Sequence, residues 1–262
     1  MNWEQYFRII EKIGSRYFLA AAIAFILFYL VLRRRVFYQK IQQRFPKTQD
    51  YLREAGYSLL TIFIFGTIVV ALHHPAIAPY TTLYKNISDH SVLYYFLVFP
   101  ALFVMHDTYF YFTHRLMHHK ALFKWFHLVH HQSTNPSPWA AYAFHPLEAV
   151  VEQGILVVFY FTLPIHISHV AIFFLMSIVY NVYGHLGYEL YPRGFSKTWI
   201  GKWINTSVSH NQHHQYFKGN YGLYLLFWDR MLGTIRPDYD ERFEEVKTRE
   251  KEGTEPSPVQ VA

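Results

Sequence analysis

Four stretches of this chain run without a charged side chain for longer than most soluble helices do. They are Tyr17–Leu32 (sixteen residues), Ala55–Tyr84 (thirty), His90–His106 (seventeen) and Gln153–Tyr188 (thirty-six, with Pro164 near its middle). A helical crossing of the bilayer needs about 20 residues at about 1.5 Å each, with some slack for thinning and snorkelling. The first three stretches therefore predict short single crossings, the apolar part of the second ending at Leu72. The fourth predicts a hairpin of two short helices turning at Pro164, either spanning or re-entrant. The expected fold is an all-α integral membrane protein with four to five short transmembrane or re-entrant helices. Composition agrees: 52% of the 262 residues are apolar and 16% charged, against about 25% charged in soluble domains. On so apolar a chain the net charge of +6 points to anionic lipid as the partner, and no nucleic acid is expected. With no cysteine, disulfides, iron–sulfur clusters and thiolate catalysis are excluded.

Basic residues orient the chain. The cluster Arg33, Arg34, Arg35 follows the first apolar run rather than preceding it, so that run does not read as a signal peptide. The loop Arg33–Glu54 holds seven Lys or Arg and Glu189–Ala262 holds ten; the positive-inside bias places both in the cytoplasm and the N-terminus outside. Twenty of the twenty-four basic residues then fall inside. From Pro237 onward the chain is charged and Pro-containing, and 237–262 is expected to be a disordered tail.

Seventeen histidines are the second constraint. Twelve lie between His106 and His214, outside the apolar runs or at their inner edges. They include His114-x3-His118, His127-x2-His130-His131 and His210-x2-His213-His214. Helical neighbours three or four apart share a face, with Cβ atoms about 5–6 Å apart, and two imidazoles so placed reach one metal at about 2.0–2.1 Å. The adjacent histidine of each HxxHH is rotated by roughly 100°, so one helix can address two metals or both sides of one. No HExxH occurs, which leaves a zinc metalloprotease unsupported. No Glu-x-x-His occurs, which removes the carboxylate-bridged site of soluble four-helix bundles. Eight or more imidazoles exceed what one ion uses, and imidazole suits iron, zinc and copper. Two metals in a shared histidine cage is the economical reading.

The runs HDTYFYFTHRLMHHKALFKWFHLVHHQS, AFHPLE, NVYGHLGYE and SHNQHHQYFKGNYGLYLLFWDRMLGT resemble the sterol desaturase and fatty acid hydroxylase superfamily of integral membrane di-iron enzymes. The resemblance covers about Asp107–Thr234. It implies a first histidine box of His114 and His118, a second of His127, His130 and His131, a third of His210, His213 and His214, and His185 as a further ligand. His145 and Glu148 match the His-Pro-x-Glu segment and are expected to accept hydrogen bonds from ligand imidazoles, as is Asp107. Glu189 stands where some members carry another histidine, and a supporting or ligating carboxylate is expected there. Asp229 and Arg230, in the closing WDRMLGT, read as structural. Residues 1–105 then form the N-terminal transmembrane helices and 106–236 the histidine-box region with its membrane hairpin, the metal-binding cap facing the cytoplasm.

What the resemblance implies is two iron ions, molecular oxygen as co-substrate, and hydroxylation or desaturation of a lipid C–H bond (fatty acyl, sterol or related). The lipid substrate would reach the metals from the bilayer. No nucleotide-binding fingerprint and no haem domain is present, so a separate cytoplasmic electron donor is expected. The competing class is a histidine-rich metal-ion carrier or metal-binding membrane protein. Carriers place ligands near the bilayer midplane, whereas these clusters share one face. His73, His74, His90, His166 and His169 match no box and are expected to lie away from the metals.

Overall fold

A computed structural model describes residues 3–249. In chain order the helices are α1 (Trp3–Phe25, continued by a wider turn, Ile26–Val31), α2 (Thr48–Leu72), α3 (Val92–Met117), α4 (Phe123–Phe126), α5 (Leu128–His131), α6 (Pro146–Thr162), α7 (Ile167–Gly184), α8 (Ser207–Tyr216), α9 (Phe227–Met231) and α10 (Tyr239–Thr248). The only strands among the described residues are two short parallel ones, Leu83–Tyr84 and Ile165–His166.

Four helices are long and apolar enough to cross a bilayer: Trp3–Val31, α2, α3 and α7. Their outward faces carry Leu30, Leu93, Val104 and Val179, each more than half exposed; water would penalise so broad an apolar surface, and lipid does not. The chain is an integral membrane protein. Helix starts follow the sequence. Ser91 caps α3 by accepting from Tyr94 N at 3.2 Å, and Pro146 at the first position of α6 gives up an amide that no helix would use.

The apolar part of each charge-free stretch is helical, and the helices reach beyond it. The first crossing starts at Trp3 rather than Tyr17, because antiparallel packing on α2 carries the helix past its polar residues. Tyr6 bonds Thr67 at 3.2 Å, Gly14 lies against Ile62, and Gly66 leaves room for Ile10. Small residues let the two backbones approach closely. The fourth stretch forms the hairpin α6–α7 with Pro164 in its turn. That turn is tied to the α2–α3 connection: Thr82 bonds the carbonyls of Tyr160 and Leu163, Tyr94 donates to Pro164 O, and Leu83 pairs with Ile165. The hairpin therefore reaches as deep as the spans beside it.

The expected disorder from Pro237 onward is corrected over its first part. Tyr239–Thr248 is a helix, with Tyr239, Phe243 and Val246 buried against Ile41, Val208 and Leu226. Tyr239, Phe243 and Val246 recur at i, i+4 and i+7, one helical face among the seven charged or polar residues of the same helix. The remainder of that expectation, 250–262, lies outside the described residues.

Candidate metal centre

The C-terminal ends of α3 and α7, the first turn of α6 and the whole of α5 and α8 meet in one place. There the structure gathers all nine histidines into two sets. His114, His118, His127, His131 and His213 form one, and His130, His185, His210 and His214 the other, with candidate ligand atoms within 4.8 Å of one another in each. The one-residue rotation anticipated for HxxHH is what divides them. On α5, His131 joins His127 while His130 faces the second set. On α8, His210 and His214 share a face while His213 turns to the first. The sets abut, the rings of His131 and His214 standing 5.0 Å apart.

Hydrogen bonds on the far side of five of the nine rings set their tautomer. The Nδ1–H of His114 donates to Tyr221 O at 2.9 Å, that of His185 to Asn181 O at 2.8 Å, that of His213 to Gly219 O at 2.7 Å, and that of His214 to Ser133 O at 3.0 Å. His127 Nδ1 donates to the Glu148 carboxylate at 2.6 Å. Carbonyl and carboxylate oxygens only accept, so these rings carry their proton on Nδ1 and point a bare Nε2 inward. Burial, more than the neighbouring imidazoles, pushes His127, His130, His131, His210, His213 and His214 well below the ordinary histidine pKa, and His185 down to about 4. The cages hold neutral imidazoles at pH 7.

This arrangement fits metal ions. His114 Nε2 and His127 Nε2 are 2.9 Å apart with no proton between them; two lone pairs at that distance repel unless a cation lies between them. The other close Nε2 pairs stand at 3.0–3.3 Å. Ligands at about 2.1 Å and right angles would stand about 3.0 Å apart, tetrahedral ones about 3.4 Å. Nitrogen-only cages of this kind suit first-row transition metals.

Of the supporting residues expected from sequence, Glu148 alone touches a box histidine. His145 instead caps α6, its Nδ1 accepting from Leu147 N at 3.3 Å, because the Pro146 that follows starts a helix there. Asp107 accepts from Tyr224 N and Leu225 N at 2.8 and 3.0 Å, holding the segment after α8 against α3. Glu189 accepts from Tyr183 Oη, Tyr191 N and Val208 N at 2.9–3.0 Å, anchoring the N-terminus of α8, where a carboxylate is favoured. It misses the histidine cages because α7 stops at Gly184 and Gly187, at φ 73°, turns the chain away. Asp229 binds Tyr221 N, Gly222 N and Thr234 Oγ1, and Arg230 donates to Lys202 O, the structural roles expected. His166 and His169 bond Lys85 O and Tyr95 O near the hairpin turn, away from the cages. Sequence reasoning missed the carbonyls of Ser133, Asn181, Gly219 and Tyr221, since a backbone acceptor leaves no residue signature. It also missed the rings closing the cages, Phe144 over His130 at 5.1 Å and Phe217 over His131 at 4.8 Å.

Comparison with known proteins points the same way. A Delta(7)-sterol 5(6)-desaturase of Gibberella zeae is 28% identical over 241 residues, 90% of this chain and 71% of that protein. An Aspergillus fumigatus protein of the same name is 30% identical over 193 residues, 73% of this chain and 55% of its own length. The Homo sapiens lathosterol oxidase is 27% identical over 187 residues, 70% of this chain and 60% of its own. No solved structure matches. The fatty acid hydroxylase family model matches residues 99–234, a span that holds all nine caged histidines and Glu148, and the chain belongs to that family.

Proposed function

We propose that this chain is a membrane-bound, oxygen-dependent oxidoreductase that hydroxylates or desaturates a C–H bond of a lipid, using two iron ions, one in each histidine set. The carrying observation is the pair of abutting histidine cages at the ends of membrane helices, with Nδ1 bonded away and Nε2 turned inward in five of the nine rings. Iron bound there would supply the power to break an unactivated C–H bond with molecular oxygen as co-substrate. The chain's own residues do the rest. Glu148 and four backbone carbonyls fix five of the nine rings, and a carboxylate acceptor raises the basicity of His127. Phe144, Phe217 and Phe123 cover the cages and keep bulk water from them. The lipid comes from the bilayer, between helices whose metal-bearing ends face the cytoplasm. Electrons come from a separate cytoplasmic donor. Hydroxylation and desaturation share the first hydrogen abstraction, so the reading covers both.

The test is lipid profiling of membranes with and without the protein, given oxygen and a reductant chain, alongside metal analysis of the purified protein. Expected are an oxidised or newly unsaturated lipid that depends on the protein, and two irons per chain in an active preparation. One metal per fully active chain would overturn the two-site assignment, and a change in metal uptake with no lipid product would favour a carrier.

A further inference from the structure

Three of the four basic residues that the charge count leaves off the inner face are Arg8, Lys12 and Arg16, spaced four apart on α1. Residues at that spacing share a helix face, and all three line a cleft of about 330 Å³ between α1, α2, α6 and α7. The volume is at the small end of ligand pockets. Most of the wall is apolar, including Ile13, Phe65, Leu156 and Phe174.

These cations lie at membrane depth, because this third of α1 runs beside the charge-free part of α2, Tyr6 against Thr67 and Gly14 against Ile62. Charges at such depth are costly, face cavities and mark functional sites. Arg8 pairs with Glu4 at 2.7 Å. Lys12 and Arg16 have no hydrogen bond or ion pair from their side chains among the described residues. Gln153 is 4% exposed and lines the same cleft. Tyr142 lines it too. Lys12, Arg16, Tyr142 and Gln153 thus give a mainly apolar cleft a polar end. Its groups are mainly donors and two are cations; they call for an anionic oxygen. The apolar wall calls for an alkyl chain.

We propose that this cleft binds a single-chain lipid by an anionic oxygen head group, Lys12, Arg16, Tyr142 and Gln153 donating to the head while Ile13, Phe65, Leu156 and Phe174 flank the chain. The site rests on the reading of the protein as a lipid oxidoreductase and gives that enzyme a substrate class. It also adjoins the metals. Tyr142 is 6.2 Å from Phe144, whose ring covers His130 at 5.1 Å, so two aromatic rings separate cleft and cage.

Photolabelling of the full, metal-loaded protein in neutral detergent tests this, using a diazirine-bearing palmitate and its methyl ester. The palmitate probe should label peptides of α2, α6 and α7 lining the cleft. The double variant Lys12→Gln/Arg16→Gln should lower that labelling about tenfold or more, the scale of lost charge-assisted hydrogen bonds, with metal content unchanged. The ester should label wild type and double variant equally. Ala171→Trp, which fills the cleft and leaves every charge in place, should block both probes. Equal palmitate labelling of wild type and the double variant, or labelling confined to other surfaces, would overturn the proposal. Labelling needs no turnover, so a protein that labels as expected but oxidises no lipid would sink the enzymatic reading alone. One that oxidises lipid without labelling would sink the cleft alone.

Discussion

His213 and His214 are adjacent in sequence and belong to different cages, so their substitutions should remove different ions. His213→Ala should deplete the five-histidine set and His214→Ala the four-histidine set. Each should abolish lipid oxidation, because no carboxylate stands close enough to replace the lost nitrogen. Metal analysis and product formation in the same membranes would check both, with His166→Ala as a bystander keeping both ions and most activity. Glu148→Gln keeps the shape but withdraws the negative charge from His127 Nδ1, and should lower metal affinity or activity about 10–100-fold; an unchanged affinity would refute its role. The eight box histidines were legible because i, i+3 and i+4 spacing is a property of sequence, whereas His185 was reached only through the family resemblance. Their supports were legible only at Glu148. Asp107, His145 and Glu189 are polar residues near the boxes, and sequence does not say whether such a group turns to a ligand ring or to a helix end.

At the scale of elements, α8 carries three histidines shared between two cages and is held from both ends of the chain's polar half. Glu189 fixes its first turn, and α10 packs beside it, Tyr239 bonding Thr206, the α8 cap, at 3.1 Å. Phe243→Ala should therefore destabilise the protein by about 3–5 kcal/mol, and ending the chain at residue 236 should cost metal as well as stability. Thermal melting with metal analysis would check both; a truncated chain with full metal content would show that α10 does not support the cages. The loop before α2 gives a pH prediction. Burial, assisted by Arg44, brings the Lys40 ammonium down to about 7, with the rings of Tyr29, Phe45 and Tyr188 at 5.2–5.4 Å. The unfolded chain keeps that proton up to about pH 10.4, so between about 7 and 10 folding releases it and stability rises with pH. Relative to Lys40→Met, the wild-type Tm should climb from pH 7 to pH 9, and parallel curves would show that Lys40 keeps its charge in the fold. The long helices and the hairpin were readable because absence of charge persists over tens of residues. The α10 helix was not, because three apolar residues among so many charges become a core face only once Ile41, Val208 and Leu226 meet them.

For the whole molecule, the structure brings every cage to one end of the bundle, and the remaining question is which side of the membrane that end faces. Seven basic residues in Arg33–Glu54 and ten after Glu189 flank the cages, and translocating them would oppose the positive-inside bias. The α2–α3 connection, at the far end with the hairpin turn, holds the lone Lys85. A chain without cysteine permits a direct measurement, since one introduced thiol is the only label site. Lys85→Cys, Lys124→Cys and Lys197→Cys all replace exposed side chains. A membrane-impermeant maleimide applied to sealed membranes from the non-cytoplasmic side should modify the first and spare the other two until the membranes are opened. The reverse pattern would place the cages outside, beyond the reach of a cytoplasmic electron donor, and both the orientation and that source of electrons would have to be given up together.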